Sequence, residues 1–173
     1  MWSSWASTSR SELLLTITAA TADDVPTILH LIRALADYEK LSHEVVASEE
    51  SLHAALFGER PGAECLIARE HGEPVGFALY FHNFSTFLGR RGLYLEDLFV
   101  EPAHRGKGYG KALLQQLAQL AVERGCGRLE WSVLDWNAPA IGFYESLGAK
   151  LMSEWRIFRL TGEALQTFAA DKR

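Results

Sequence analysis

The sequence is short of several things at once. Among its 173 residues there are two cysteines, Cys65 and Cys126, with no metal-ligand spacing. They read as reduced thiols in a cytoplasmic protein rather than as a disulfide scaffold, and no metal is expected. No apolar run approaches the roughly 20 residues that a membrane span needs, so no membrane partner is expected. The opening "MWSSWASTSR" has no apolar signal core. Positive charge is not in excess either: 17 Lys and Arg stand against 22 Asp and Glu, a net charge of −5. That balance excludes general nucleic-acid binding. It is compatible with a cationic substrate and equally with plain solubility. Internal repeats, low-complexity tracts and linkers are absent.

What is present is the composition of an ordinary globular chain, 48% hydrophobic and 23% charged, at the length of one domain. Residues 1–11 read as a disordered tail, in which Trp2 and Trp5 have no explanation, and residues 12–173 as a single domain. "ELLLTIT" (12–18) is a strand. Thr21 then caps a helix over 22–37, with Asp23 and Asp24 in its first turn, Pro26 near its start and Val25, Ile28, Leu29, Ile32 and Leu35 on one face. A second helix follows Ser48 and carries Leu52, Ala55 and Leu56. "AECLIARE" (63–70) and "VGFALYFHN" (75–83), joined by "HGEP", form an antiparallel hairpin, and "GLYLEDLFV" (92–100) is a third strand. A helix with Leu113, Leu114, Leu117, Leu120 and Ala121 inward stops at Gly125 and Gly127. Then come a strand (128–134), a short helix from the cap Asn137 to Gly148, a strand (155–160) and a helix capped by Thr161. The order β-α-α-β-β-β-α-β-α-β-α predicts a mixed α/β sheet with helices packed on it and parallel neighbours late in the chain.

The chemistry is concentrated in "RGKGYG", residues 105–110, between a strand and a helix. An ATP loop of the G-x-x-x-x-G-K-[ST] type fails, because Ala112 follows Gly110-Lys111 and Arg105 stands where the first glycine belongs. A dinucleotide loop of the G-x-G-x-x-G type fails at Lys111. What remains is a nest of backbone N–H groups at Gly106, Gly108 and Gly110 ahead of a helix, with charge from Arg105 and Lys107, an arrangement suited to a pyrophosphate. The same glycines could equally make a strand-to-helix connection without a ligand.

"RGKGYG" after Val100-Glu101-Pro102, followed by "NAPAIGFYESLGA" (137–149), resembles the acetyl-CoA-binding pattern of the GNAT superfamily of N-acetyltransferases. "LIRALADYEKLS", "LYLEDLFV", "VLDWN" and "FYESLGA" resemble its diamine acetyltransferase subfamily, which comprises spermidine/spermine N1-acetyltransferase and a thialysine-acetylating relative. The resemblance implies the GNAT fold, with acetyl-CoA as the acetyl donor and a primary amine of a small cationic molecule as the acceptor. It implies that Arg105, Gly106, Lys107, Gly108, Tyr109 and Gly110 hold the pyrophosphate. Leu98, Phe99 and Val100 would hold the acetyl and pantetheine portion through their backbone, with the Leu98 N–H as an oxyanion donor, and Asn137 and Ala140 would lie along the cofactor. A homodimer is carried over from the same relatives.

Direct acetyl transfer needs a neutral amine, a donor for the tetrahedral oxyanion and a proton for the departing thiolate. An alkylammonium has a pKa near 10.4, so a base is required. By resemblance Glu96 is that base, acting through water, and also contacts the amine, while Tyr144 protonates the sulfur. Strand alternation puts Glu96 and Asp97 on opposite sides. Tyr38 and Glu39 end the first helix either as a cation site or as a solvated helix end. Glu154 matches an acidic residue at the distal amine of polyamines, but "GAKLMSEW" is shorter than the polyamine-enzyme segment, which leaves that subsite open. A protein or peptide acetyltransferase and a non-catalytic acyl-CoA sensor are the alternatives.

Overall fold

The computed structural model describes residues 15–171, so the tail with Trp2 and Trp5 lies outside the described residues, as do Glu12 to Leu14 of the first expected strand. The chain divides into two compact units, one up to Ser132 and one from Val133 onward.

The first unit holds β1 (Leu15–Ala19), α1 (Val25–Glu39), α2 (Glu49–Phe57), β2 (Glu64–Glu70), β3 (Glu73–Ser85), β4 (Arg90–Val100), α3 (Tyr109–Glu123) and β5 (Leu129–Trp131). The expected caps form only in part: Thr161 makes no side-chain cap hydrogen bond at the last helix, and Thr21 stands before a 3-10 turn rather than before α1 itself. Asp24 Oδ2 accepts from the Thr21 N–H at 2.9 Å and from its hydroxyl at 3.1 Å, which closes a single 3-10 turn that leads into α1. At the start of α2, Ser48 Oγ accepts from the Ser51 N–H at 3.2 Å while Ser51 Oγ accepts from the Ser48 N–H at 2.9 Å. Those reciprocal bonds satisfy donors that a helix start leaves orphaned. The α1 helix runs two residues past the expected end, to a left-handed Lys40 (φ 62°). Gly125 (φ 67°) ends α3, and the Cys126 N–H reaches back 2.8 Å to the Ala121 carbonyl.

The sheet order is β1-β2-β3-β4-β5, antiparallel except for the parallel β4–β5 pair. One face presents Cys65, Ile67, Phe77 and Phe99 to Ile28 and Leu31 of α1 and Leu56 of α2. Ile28 and Leu31 are fully buried, each contributing about 1.5–3 kcal/mol of transfer free energy. The alternate set, with Leu66, Ala78, Tyr80, Leu93 and Leu95, points the other way, where α3 packs with Leu113 and Leu117 buried.

The second unit holds α4 (Ala138–Ser146) and α5 (Gly162–Ala170). Asn137 caps α4 as expected, its Oδ1 accepting from the Ala140 N–H at 3.4 Å, and Gly148 (φ 88°) follows its end. The strand expected over 155–160 does not form: among the described residues that stretch pairs with no other strand, and Trp155, Ile157 and Phe158 are exposed. Alternation marks sidedness, but a strand exists only through ladder partners, and this unit contains none among its described residues. The strand expected over 128–134 shortens to three paired residues, Leu129 to Trp131.

Candidate functional site

Strand β4 loses one of its two partners halfway along its length. Leu93 to Leu95 pair with Leu129 to Trp131 of β5, and there the parallel ladder ends. From Glu96 to Val100 the described partner is β3 alone. At the same point the register with β3 shifts: Tyr80 faces Leu95 and Leu79 faces Asp97, so Glu96 is an extra, bulged residue. A bulge bends its strand and re-aims a side chain. Glu96 is accordingly exposed, although its strand neighbours are largely buried.

The hydrogen-bond alternation of β4 identifies its free groups. The Glu101 N–H donates to Val75 at 2.9 Å, and the Phe99 carbonyl lies against Gly76, so residues 99 and 101 address β3. Leu98 and Val100 therefore turn their N–H and C=O groups to the opened edge. Phe99 commits its backbone to the ladder and its side chain to the core. The Leu98 N–H, the expected oxyanion donor, therefore lies on the edge of β4 that β5 leaves unpaired beyond Leu95.

Asp97 falls on the α1 face of the sheet. It shares a pocket of about 320 Å³ with Ile32, Leu35, Ala36, Glu39 and the 41–47 segment. Three carboxylates, those of Asp97, Glu39 and Glu44, thus line a mostly apolar recess. Burial, then the negative charges of Glu96 and Glu39, push Asp97 up to about 6. Burial raises Glu39 as well. An ammonium entering this pocket would neutralise carboxylates that the fold has partly stripped of water. Tyr38, next to Glu39, already has a cation: the Arg105 guanidinium carbon lies 4.2 Å from its ring centroid. The ring is therefore tied to the glycine loop.

In that loop Gly106 (φ 77°) and Gly108 (φ 85°) take left-handed conformations, and a Cβ at either would meet nothing within 4 Å. The space above the loop is open backbone, and α3 begins immediately after Gly108, which has no side chain to cap it. The first-turn N–H groups of α3 add their partial positive charge. This cradle fits a pyrophosphate. Arg105 Nε donates to the Val100 carbonyl at 2.9 Å, which satisfies one of the edge groups of β4. Lys107 Nζ donates to Glu70 at 2.9 and 3.0 Å, and Tyr109 and His104 donate to the same carboxylate. Lys107 and Tyr109, with burial opposing and His104 assisting, hold the Glu70 carboxyl down at about 2.

Asn137, Ala140, Tyr144 and Glu154 belong to the second unit. Tyr144 lies on α4 with its ring 5.4 Å from that of Phe143, and Ala140 gives its N–H to the Asn137 cap. Glu154 is exposed in a turn before Trp155. Sequence reasoning misses two residues. Asp97 reads there only as the neighbour of Glu96, since neither the bulge nor the meeting with Glu39 has a local signature. Glu70 could have been suspected from its position: it continues the inward register of Leu66 and Ala68, where a carboxylate needs partners.

A free strand edge beside an anion cradle is an arrangement that an acyl-CoA transferase can use, and the comparisons with known proteins give the family. Residues 30–149, a span that crosses both units, match the model of the acetyltransferase (GNAT) family. The chain belongs to the GNAT acetyltransferase family and is an acetyl-transferring enzyme. It is 44% identical over 164 residues to a thialysine N-epsilon-acetyltransferase of Bos taurus, an alignment covering 88% of this chain and 96% of that one. It is 37% identical to an L-ornithine N5-acetyltransferase of Arabidopsis thaliana, covering 90% and 87%. Among solved structures, an integron cassette protein from the mobile metagenome of V. cholerae superposes with a TM-score of 0.77 at 31% identity, covering 91% of this chain and 98% of that one. Among the described residues no helix is long and apolar enough to cross a membrane.

Proposed function

We propose that this enzyme transfers the acetyl group of acetyl-CoA directly to a primary amine of a small cationic molecule, a thialysine-like amino acid or a diamine. The observation that carries the acceptor class is the pocket in which Asp97 and Glu39 meet, with Glu96 exposed at the adjoining bulge. Two partly desolvated carboxylates favour a compact ammonium over a neutral nucleophile. The names of the relatives support the same class, since thialysine and ornithine both present a terminal amine on a short chain.

In this reading the loop 105–110 and the start of α3 hold the pyrophosphate, and the β4 edge at Leu98 and Val100 holds the pantetheine amides. Acetyl-CoA supplies the thioester when bound. Glu39 and Asp97 keep the ammonium in the pocket, and Glu96 accepts its proton through water. The Leu98 N–H receives the developing oxyanion, and Tyr144 returns a proton to the leaving sulfur. A thiol relay finds no support in Cys65, which is buried and whose thiol is pushed up to about 12 by burial and by the charges of Asp24 and Asp97. A homodimer belongs to the proposal, and sedimentation velocity tests it, a concentration-independent monomer being the refuting result.

The deciding experiment is a CoA-release assay over a panel of thialysine, ornithine, lysine, short diamines, spermidine and a lysine-bearing peptide. The small amines are expected to lead in kcat/KM. A peptide that outcompetes them refutes the acceptor assignment.

A further inference from the structure

Glu70 closes β2, and its side chain is only 9% exposed. It is not part of the glycine pattern, yet three residues of the cofactor segment converge on it. His104 Nδ1 lies 2.6 Å from Oε2, Lys107 Nζ lies 2.9 Å from Oε1 and 3.0 Å from Oε2, and the Tyr109 hydroxyl donates to Oε1. These donors stand before, within and just after the two left-handed glycines. A flexible glycine loop is thereby pinned at three places to the sheet beneath it.

Resting on the reading that loop 105–110 holds the pyrophosphate, we propose that Glu70 is a positioning residue that preorganises this loop and keeps Lys107 engaged as a strut. Two physical consequences follow. The loop is ordered before the ligand arrives, so less conformational entropy is lost on binding. The Lys107 ammonium is already neutralised by a buried carboxylate, so backbone N–H groups carry the pyrophosphate recognition, as in nests that need no free cation. Glu70 is thus a negative charge that favours binding of an anion, because without it the donors would not be held in place.

The test compares the affinities of CoA and of pantetheine, which lacks the pyrophosphate, by calorimetry and by competition against acetyl-CoA. In the wild type, the ratio of the two affinities measures the loop. Glu70→Ala is expected to weaken CoA about tenfold to a hundredfold while leaving pantetheine within about twofold, because contacts to a charged partner are lost only at the loop. Glu70→Gln, which keeps the shape and one strong acceptor, should recover part of that loss. KM for acetyl-CoA should rise in step with Kd, with kcat at saturation changing far less.

Lys107→Ala should weaken CoA similarly and add little on top of Glu70→Ala. It should also leave the salt dependence of CoA binding unchanged, whereas a lysine acting directly on phosphate would be additive and would reduce that dependence. Amide hydrogen exchange over residues 105–110 of the ligand-free protein should accelerate in the Glu70 variants. His104→Ala and Tyr109→Phe each remove one contact and should give intermediate losses, so the test stands even where Glu70→Ala does not fold. A wild-type enzyme that binds CoA no better than pantetheine refutes the pyrophosphate reading itself. A wild type that discriminates, with folded Glu70 variants that discriminate equally, overturns the role of Glu70 alone.

Discussion

Replacing Asp97 by asparagine should make the protein more stable and the enzyme worse. The fold holds the Asp97 carboxyl up at about 6, against 3.8 for an ordinary aspartate, through burial first and the charges of Glu96 and Glu39 second. A raised carboxyl favours the protonated form of the folded state. Its contribution is fully present below about pH 4 and is lost as the pH climbs through about 6. At pH 7 the ionised group then costs the fold up to about 3 kcal/mol, since each pH unit between the folded and unfolded titration points is worth about 1.36 kcal/mol. Asparagine keeps the shape and removes the charge. Urea unfolding of both proteins at pH 4, 5, 6 and 7 should show nearly equal stability at pH 4 and a growing advantage for Asp97→Asn above it. At pH 7 that advantage corresponds to a gain of about 6–12 °C in Tm for a chain of this size. In parallel, KM for the amine should rise about tenfold or more, because the pocket loses one of its three carboxylates, the one set between β4 and α1. A variant that is less stable at every pH, or whose advantage does not change with pH, refutes the desolvated-carboxylate argument. A variant with unaltered amine KM refutes the pocket as the acceptor site.

Other variants separate the remaining roles. Tyr144→Phe should lower kcat by about a hundredfold with little change in CoA affinity, and equal activity removes Tyr144 as the acid. In Glu96→Gln, kcat/KM should keep climbing with pH toward the free-amine pKa near 10.4 instead of levelling earlier, while an unaltered pH–rate profile removes Glu96 as the base. Gly108→Ala forces a side chain into φ 85°, a strain of about 1–2 kcal/mol concentrated at the loop. It should weaken CoA about tenfold in calorimetry, and wild-type affinity would show that the loop conformation does not matter for binding.

Local chemistry was the legible part of this sequence. Thr21, Ser48 and Asn137 act at helix starts and Gly125 and Gly148 follow helix ends, because a cap is decided within four residues of chain. The glycine loop was legible at two of its three glycines, since positive φ is a property of single residues: Gly106 and Gly108 adopt it, whereas Gly110 lies inside α3. What failed was whatever depends on a distant partner. Residues 155–160 alternate well but have nothing to pair with among the described residues, and "RLEWSVL" pairs over only three residues. Glu70 meets donors 34 to 39 positions away, and Asp97 on β4 meets Glu39 across a helix and two strands. The bulge at Glu96 is a mismatch between two strands, so the alternation of β4 alone could not reveal it.

In the proposed function that bulge lets one strand serve two substrates. With an unbroken alternation, β4 would stay zipped to its neighbour and would present either Glu96 or Asp97 to the α1 face. The extra residue instead leaves Asp97 in the pocket and Glu96 exposed, at the point where the parallel ladder ends after Leu95. The opened edge then offers Leu98 and Val100, and Val100 is where Arg105 attaches. Arg105 also covers the ring of Tyr38, next to Glu39. Arg105 therefore ties the end of α1, at Tyr38, and the glycine loop to one another and to Val100 of β4. A ligand that shifts one of them must strain or relax the other, so Arg105→Lys, which loses the stacking plane and the directed Nε contact, should raise the KM of both substrates together. An effect confined to acetyl-CoA would show instead that Arg105 acts on the phosphates alone.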